Sequence, residues 1–235
     1  MISKTLVIIP AFNEETSIVN VVESIKAVVD EVDIVVIDDG STDKTVENSK
    51  KAGAKVISLP CNMGYGVAIQ TGYKYAMQRH YQYLVQMDAD GQHEAKDIKV
   101  LLNTLYSSDF DIVLGSRYLG DYTYCQTYYR KIGTIVFKFL LYVYSGKKIS
   151  DPTTGFQAMN RRVLELFVKD LFPCDYPDAD VLFLLTKLGY NIKEVPVRMY
   201  TNECGKSMHS NPLHAFYYVF KMLLSMTLTL LRKHN

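Results

Sequence analysis

"YLVQMDADGQHEAKD", Tyr83 to Asp97, begins as an apolar run and ends in three oxygen-bearing side chains at alternate positions, Asp88, Asp90 and Gln92. Asp-Gly is a common turn pair, so a hairpin turn is one reading. An EF-hand loop does not fit. It needs Gly at its sixth position and Glu at its twelfth, and counting from Asp88 these are His93 and Lys99. The remaining reading is a hard-cation site. Magnesium and manganese take few protein oxygens and complete their shell with water and substrate phosphates. Acidic groups at the tip of a strand suit that use if the strand belongs to a parallel α/β sheet, where ligands bind beyond the carboxyl ends.

The sequence on the N-terminal side supplies such a sheet. "TLVIIP" (Thr5–Pro10) reads as a strand, and "EETSIVNVVESIKAVVD" follows with Ile18, Val21, Val22, Ile25 and Val29 at helical spacing. "DIVVID" (Asp33–Asp38) is a second strand. "STDKTVENSKKAG" opens on capping residues, Ser41 or Thr42, and stops at Gly53. "KVISL", "GYGVAIQTGYKYAMQRH" and "YQYLVQMD" then read as strand, helix and strand. Continuous apolar strands joined by helices imply a parallel sheet covered on both faces. Asp38 and Asp39 join Asp88 and Asp90 at its carboxyl edge. No G-x-G-x-x-G follows the first strand, where the chain reads "PAFNEE". The glycines of "GYGVAIQTG" are read as tight packing rather than a phosphate loop.

The bulk numbers bound the rest. The 235 residues are 48% hydrophobic and 22% charged with a formal net charge of +1, which describes a globular protein without a nucleic-acid footprint. Cys61, Cys125, Cys174 and Cys204 form no C-x-x-C pair and are read as reduced thiols. The apolar part of "MISKTLVIIP" is too short for a secretory signal.

Two greasy segments follow Gly120. In "YYRKIGTIVFKFLLYVY" the polar groups Arg130, Thr134 and Lys138 recur every four residues. In "PLHAFYYVFKMLLSMTLTLLRKHN" the residues His214, Lys221, Ser225, Thr229 and Arg232 form a similar stripe. Each reads as a helix with a wide apolar face. Lys221 in mid-bilayer would cost about 3 kcal/mol, so an interfacial helix is favoured over a span. Packing against protein is the competing reading. The expected organisation is a catalytic domain over 1–211 and a membrane-associating amphipathic helix over 212–235.

"IPAFNEE", "VVIDDGSTDKT", "NMGYGVAIQTGYKYA", "QMDADGQH", "DIVLGSRY", "DPTTGFQAMNRRV" and "GYNIKEVPVRM" occur in this order. Taken together they resemble the family 2 glycosyltransferases, in the polyprenyl-phosphate, dolichyl-phosphate mannose synthase-like branch, over roughly residues 3 to 208. The resemblance implies a GT-A fold: a Rossmann-like, mostly parallel sheet with helices on both faces. It also implies a nucleotide-diphospho-sugar donor, Mg2+ or Mn2+, and inversion at the anomeric carbon. Pro10, Ala11, Phe12 and Glu14 match the loop that holds base and ribose. Asp38 matches the carboxylate that reads the base, with Asp39 its neighbour. Asp88, Asp90 and Gln92 match the metal–diphosphate site.

Arg117, Arg130 and Thr134 match positions that bind the acceptor lipid phosphate. Asp151 matches a proposed catalytic base, with Asp178 and Asp180 as rivals. The branch usually carries R-x-x-G-x-S-K after "EVPV"; here "NECGKSM" puts Asn202 in the arginine position. Lys206 is expected to supply the missing charge on the donor, as a flexible point charge rather than a fork.

The expectation is therefore a metal-dependent, inverting enzyme at the cytoplasmic membrane face, peripheral or monotopic. It would move a hexose to a polyprenyl phosphate, with homo-oligomerisation left open. One alternative is transfer to a hydroxyl of a lipid-linked glycan or surface polysaccharide, which needs Asp151, Asp178 or Asp180 as base. A membrane adaptor that only binds nucleotide sugar is the non-enzymatic alternative. A sugar-nucleotide pyrophosphorylase would need a glycine-rich loop after the first strand, and none is there.

Overall fold

The structure, a computed structural model, describes residues 4–120, 138–139, 141–143, 146, 148–169, 172, 179–200, 224 and 227. The strands are β1 (Thr5–Ala11), β2 (Val32–Asp38), β3 (Lys55–Ser58), β4 (Tyr83–Gln86), β5 (Ile112–Ser116), β6 (Gln157–Asn160) and β7 (Ile192–Pro196). Between them run α1 (Ile18–Val28), α2 (Thr45–Lys51), α3 (Tyr65–Gln78), α4 (Asp97–Tyr106), α5 (Arg161–Phe167) and α6 (Ala179–Lys187). The sheet order is β3-β2-β1-β4-β6-β5-β7. All neighbours are parallel except β6, which runs antiparallel to both β4 and β5.

Every residue of β1 is buried, as a central strand covered on both faces requires. Its side chains alternate between two cores. Leu6 and Ile8 join Ile37, Leu84 and Met159 under Ile69 and Tyr73 of α3 and Leu164 of α5. Val7 and Ile9 join Val36, Val85 and Ala158 under Ile18, Val22 and Ile25 of α1 and Ile98 and Leu101 of α4. Each such Val, Leu or Ile contributes about 1.5–3 kcal/mol of transfer free energy, which is what holds the helices on the sheet. Packing also explains the glycines of "GYGVAIQTG". A Cβ on Gly72 would stand 2.8 Å from Ile8 Cδ1, so α3 lies close on β1 only because Gly72 has none. Gly64, at φ 98°, makes the turn into α3.

The sequence reading starts α2 too early. Ser41 and Thr42 do not cap it; the helix begins at Thr45. Their polar groups are used by the loop after β1: Asn13 N–H donates to Ser41 Oγ at 2.9 Å and Thr42 N–H donates to Asn13 Oδ1 at 2.9 Å. A long-range partner outcompetes the local cap. Among the described residues no helix is long and apolar enough to cross a membrane. Arg130, Thr134, Asp178 and Lys206 lie outside the described residues, as does the 212–235 segment apart from Leu224 and Thr227.

Candidate active site

The carboxyl ends of β1, β2, β4 and β5 meet on one edge, since Ala11 pairs with Asp38, and Ile8 with Gln86 two residues before Asp88. The antiparallel β6 starts where its neighbours end. Its first residue, Gln157, pairs with both Gln86 and Leu114, so the 151–156 loop reaches the same edge.

Pro10 and Ala11 are buried in β1, and Phe12 emerges from it 43% exposed. Glu14 N–H donates to Thr45 Oγ1 at 2.8 Å, while its Oε2 accepts from Ser17 Oγ at 2.7 Å. Asp38 and Asp39 are adjacent, both buried, and differently used. Asp38 Oδ1 accepts one bond, from Ser41 N–H at 3.1 Å. Asp39 accepts from Met63 N–H at 2.7 Å and Gly64 N–H at 3.0 Å, one bond on each oxygen, and so ties down the turn into α3.

At the end of β4 a hydrogen-bond relay orients Asp88. Tyr73 Oη donates to Gln86 Oε1, Gln86 Nε2 donates to Tyr65 Oη at 2.8 Å, and Tyr65 Oη donates to Asp88 Oδ1 at 3.0 Å. His93 Nε2 lies 3.4 Å from Asp88 Oδ2 and its ring packs on Phe156; its Nδ1 is buried with no partner among the described residues. Gln92 N–H donates to Asp90 Oδ1 at 3.0 Å, and Gln92 O accepts from Tyr200 N–H at 2.8 Å.

The electrostatics of this corner are uneven. Burial works to raise the Asp88 carboxyl, but His93, Tyr65 and the Arg117 charge outweigh it and hold it below the usual carboxylate range. Burial raises Asp90, and the Asp88 charge adds to the rise. Burial also raises Glu14, against the Ser17 hydrogen bond, and the charges of Asp90, Asp43 and Asp88 push it further. The three carboxylates act on one another through their negative charges. An all-oxygen, charge-rich donor set of this kind fits Mg2+ or Mn2+. Among the described residues no three His, Cys, Asp or Glu side chains gather closely enough to hold a metal alone. Asp88 and Asp90 would therefore share the ion with substrate oxygens.

The end of β5 is built the other way. Arg117 grips Asp151 with Nε on Oδ2 at 2.7 Å and Nη2 on Oδ1 at 2.6 Å, and its own N–H adds a bond at 3.0 Å. The Asp151 side chain is 0% exposed and that of Arg117 is 11% exposed. Glu194 of β7 backs the pair, accepting from Ser150 N–H at 2.7 Å, Ser150 Oγ at 2.8 Å and Asp151 N–H at 2.8 Å. Asp151, expected as a base, and Arg117, expected in the phosphate clamp, are partners of each other. Asp180 is buried at the start of α6, its Oδ1 accepting from Val181 N–H at 2.9 Å.

Tyr65, Gln86, His93, Ser150 and Glu194 carry weight here that the sequence reading did not assign. Glu194 had a visible signal: a carboxylate inside a sheet strand needs a partner.

The family model for glycosyl transferase family 2 matches residues 6–167. The chain belongs to this family. It is 31% identical over 220 residues to an uncharacterized protein of Methanocaldococcus jannaschii, covering 93% of this chain and 90% of that one. It is 30% identical over 222 residues to the polyprenol monophosphomannose synthase of Mycolicibacterium smegmatis, covering 88% of this chain and 81% of that one. Among solved structures, glucosyl-3-phosphoglycerate synthase from Mycobacterium tuberculosis, in complex with Mn2+, UDP and phosphoglyceric acid, superimposes with a TM-score of 0.72. That match has 22% identity and covers 98% of this chain and 80% of that one, and it shows the fold. The chain is a family 2 glycosyltransferase with the GT-A fold, as its motifs led one to expect.

Proposed function

We propose that this glycosyltransferase moves a hexose, with inversion, from a nucleotide-diphospho-sugar to a polyprenyl phosphate, using Mg2+ or Mn2+. The observation that carries the reading is the crowding of Asp88, Asp90 and Glu14 at the strand ends that also present Asp38. Such a corner favours a cation and, through it, a diphosphate. The acceptor class is supported by the similarity to polyprenol monophosphomannose synthase.

On this reading Asp38 accepts from a base N–H, with Phe12 over the nucleoside, and Asp39 fixes the loop that shapes the pocket. Asp88 and Asp90 would hold the cation, which when bound offsets the charge of the departing diphosphate. Tyr65 and His93 keep Asp88 aimed, so the site is preorganised. An acceptor phosphate oxygen attacks the anomeric carbon from the face opposite the diphosphate. The new C–O bond forms as the bond to the diphosphate breaks, and the electron pair leaves with the nucleoside diphosphate. The attacking oxygen is already anionic and needs no base. Asp151 is then a positioning residue that sets the Arg117 guanidinium, with both carboxylate oxygens occupied.

Domain 1–211 would do this chemistry at the cytoplasmic membrane face, with 212–235 as a peripheral anchor. Incubation of the full chain with a panel of UDP-, GDP- and dTDP-sugars and a polyprenyl phosphate, followed by mass spectrometry of the lipid, tests the assignment. One donor should add a single hexose to the phosphate. Transfer only to hydroxyl acceptors, or no transfer from any donor, would overturn it.

A further inference from the structure

Lys138 stands apart from the charges already accounted for. It is half-buried, its Nζ sits 4.3 Å from the centroid of the Tyr118 ring, and Arg117 approaches the same ring at 5.7 Å. Among the described residues its ammonium has no hydrogen bond and no ion pair. An ammonium carries three donors, and a half-desolvated one without an acceptor is costly. The charges that act on it are Asp151 and Glu194, which attract, and Arg117, which repels. Both carboxylates already serve other donors. Both oxygens of Asp151 are gripped by Arg117, and both oxygens of Glu194 accept from Ser150 or Asp151.

The same accounting limits Arg117. Its Nε and Nη2 are spent on Asp151, and Nη2 also meets Thr153 Oγ1 at 3.0 Å. The fork that would embrace a phosphate is largely turned inward. The cation beside it with uncommitted donors is Lys138.

We propose that Lys138, braced on Tyr118, is the residue that contacts the anionic headgroup of the acceptor and selects a phosphate over a hydroxyl. This rests on the reading of the acceptor as polyprenyl phosphate. The charges that act on Lys138 differ from those that act on the donor corner. The charges acting on Asp90 come from Asp88 and His93 at the end of β4, whereas Lys138 answers to groups at the ends of β5 and β7. The Arg117 charge acts on both Asp88 and Lys138. The ammonium suits a tetrahedral phosphate because it is a point charge that imposes no planar geometry.

The test uses the full chain, Lys138→Gln and Lys138→Arg, with a polyprenyl phosphate in detergent micelles as acceptor and polyprenol as a neutral competitor. Loss of one charge-assisted contact should raise the acceptor KM about 10- to 100-fold in Lys138→Gln, with the donor KM changed less than about 2-fold. Lys138→Arg should restore most of the acceptor affinity. Polyprenol should compete better against polyprenyl phosphate in Lys138→Gln than in the wild type, a change that a merely structural role would not produce. Unchanged acceptor KM and unchanged competition, or a donor KM that rises in step, overturns the assignment to Lys138 while leaving the proposed function standing. If the wild type itself transfers nothing to polyprenyl phosphate, the proposed function fails, and this inference with it.

Discussion

Asp88 and Asp151 stand on the same edge of one sheet and are held in opposite ways. Asp151 is fully buried, and an arginine cancels its charge through two side-chain bonds. Asp88 is held by a neutral tyrosine hydroxyl and a long 3.4 Å contact to His93, and its neighbours Asp90 and Glu14 are pushed toward protonation. A carboxylate whose charge is cancelled inside the protein belongs to the scaffold. Carboxylates that raise one another's proton affinity are suited to a cation from outside. Asp38 and Asp39 repeat the contrast on a smaller scale, one with a single bond and the other saturated by two backbone N–H groups.

The contrast predicts that mutations at the two ends fail by different routes. Asp90→Ala should lower transfer with Mn2+ by about 10²- to 10³-fold, the usual scale for losing a preorganised electrostatic contact, without lowering the melting temperature. Near-normal turnover would remove Asp90 from the site. Arg117→Ala should instead destabilise the fold by about 3–5 kcal/mol in chemical denaturation, because it leaves Asp151 buried and unpaired. If Arg117→Ala is as stable as the wild type, the two ends are not built differently after all.

Gly155 allows a finer cut. A Cβ there would lie 2.7 Å from Asp88 Oδ2 and 2.8 Å from Tyr65 Oη. Gly155→Ala should displace Asp88 and reduce activity about 10- to 100-fold through misplacement alone. Its stability should change by less than that of Arg117→Ala. Activity equal to the wild type would show that Asp88 tolerates movement.

The smallest effect expected is in the pH dependence of stability. Raised carboxyls such as Asp90 and Glu14 bind protons more tightly when folded. Their stabilising contribution is present below the unfolded carboxylate range and is lost as pH rises through their raised values. Asp111 has the opposite sign. Burial works to raise it, but hydrogen bonds from Asn191 N–H, Asn160 and Arg162 hold it low, so its contribution is lost as pH falls through that depressed value. Melting curves without metal should therefore decline from mildly acidic to neutral pH. Asp90→Asn should flatten that decline, and the stabilisation by Mn2+ should grow over the same interval. A metal-free protein whose stability rises across that interval would contradict the crowding.

The N-terminal half of the fold was legible because a strand covered on both faces must be a continuous apolar run, and "TLVIIP" and "DIVVID" are such runs. Asp88 and Asp90 were legible because they end a third. What stayed hidden was pairing over distance. Tyr65 is 23 residues from Asp88, and Arg117 is 34 from Asp151, so no local pattern joins them. Glu194 has no local partner in the sequence, because its partners at Ser150 and Asp151 come from a loop more than 40 residues earlier. Strand β6 is only four residues long, too short for a periodicity to reveal, and its antiparallel direction comes from the tertiary fold alone.

That short strand has a mechanical consequence. In the order β3-β2-β1-β4-β6-β5-β7, the strands from β3 to β4 and the pair β5-β7 are joined within the described sheet through β6, with one further tie beyond the strands where Tyr200 N–H donates to Gln92 O. Gln157 to Asn160 thus act as a seam between two jaws. The loop that enters the seam carries Asp151 and Gly155, which touch the chemistry of one jaw each. Whatever loosens β6 changes the gap between the jaws at the point where two substrates would meet.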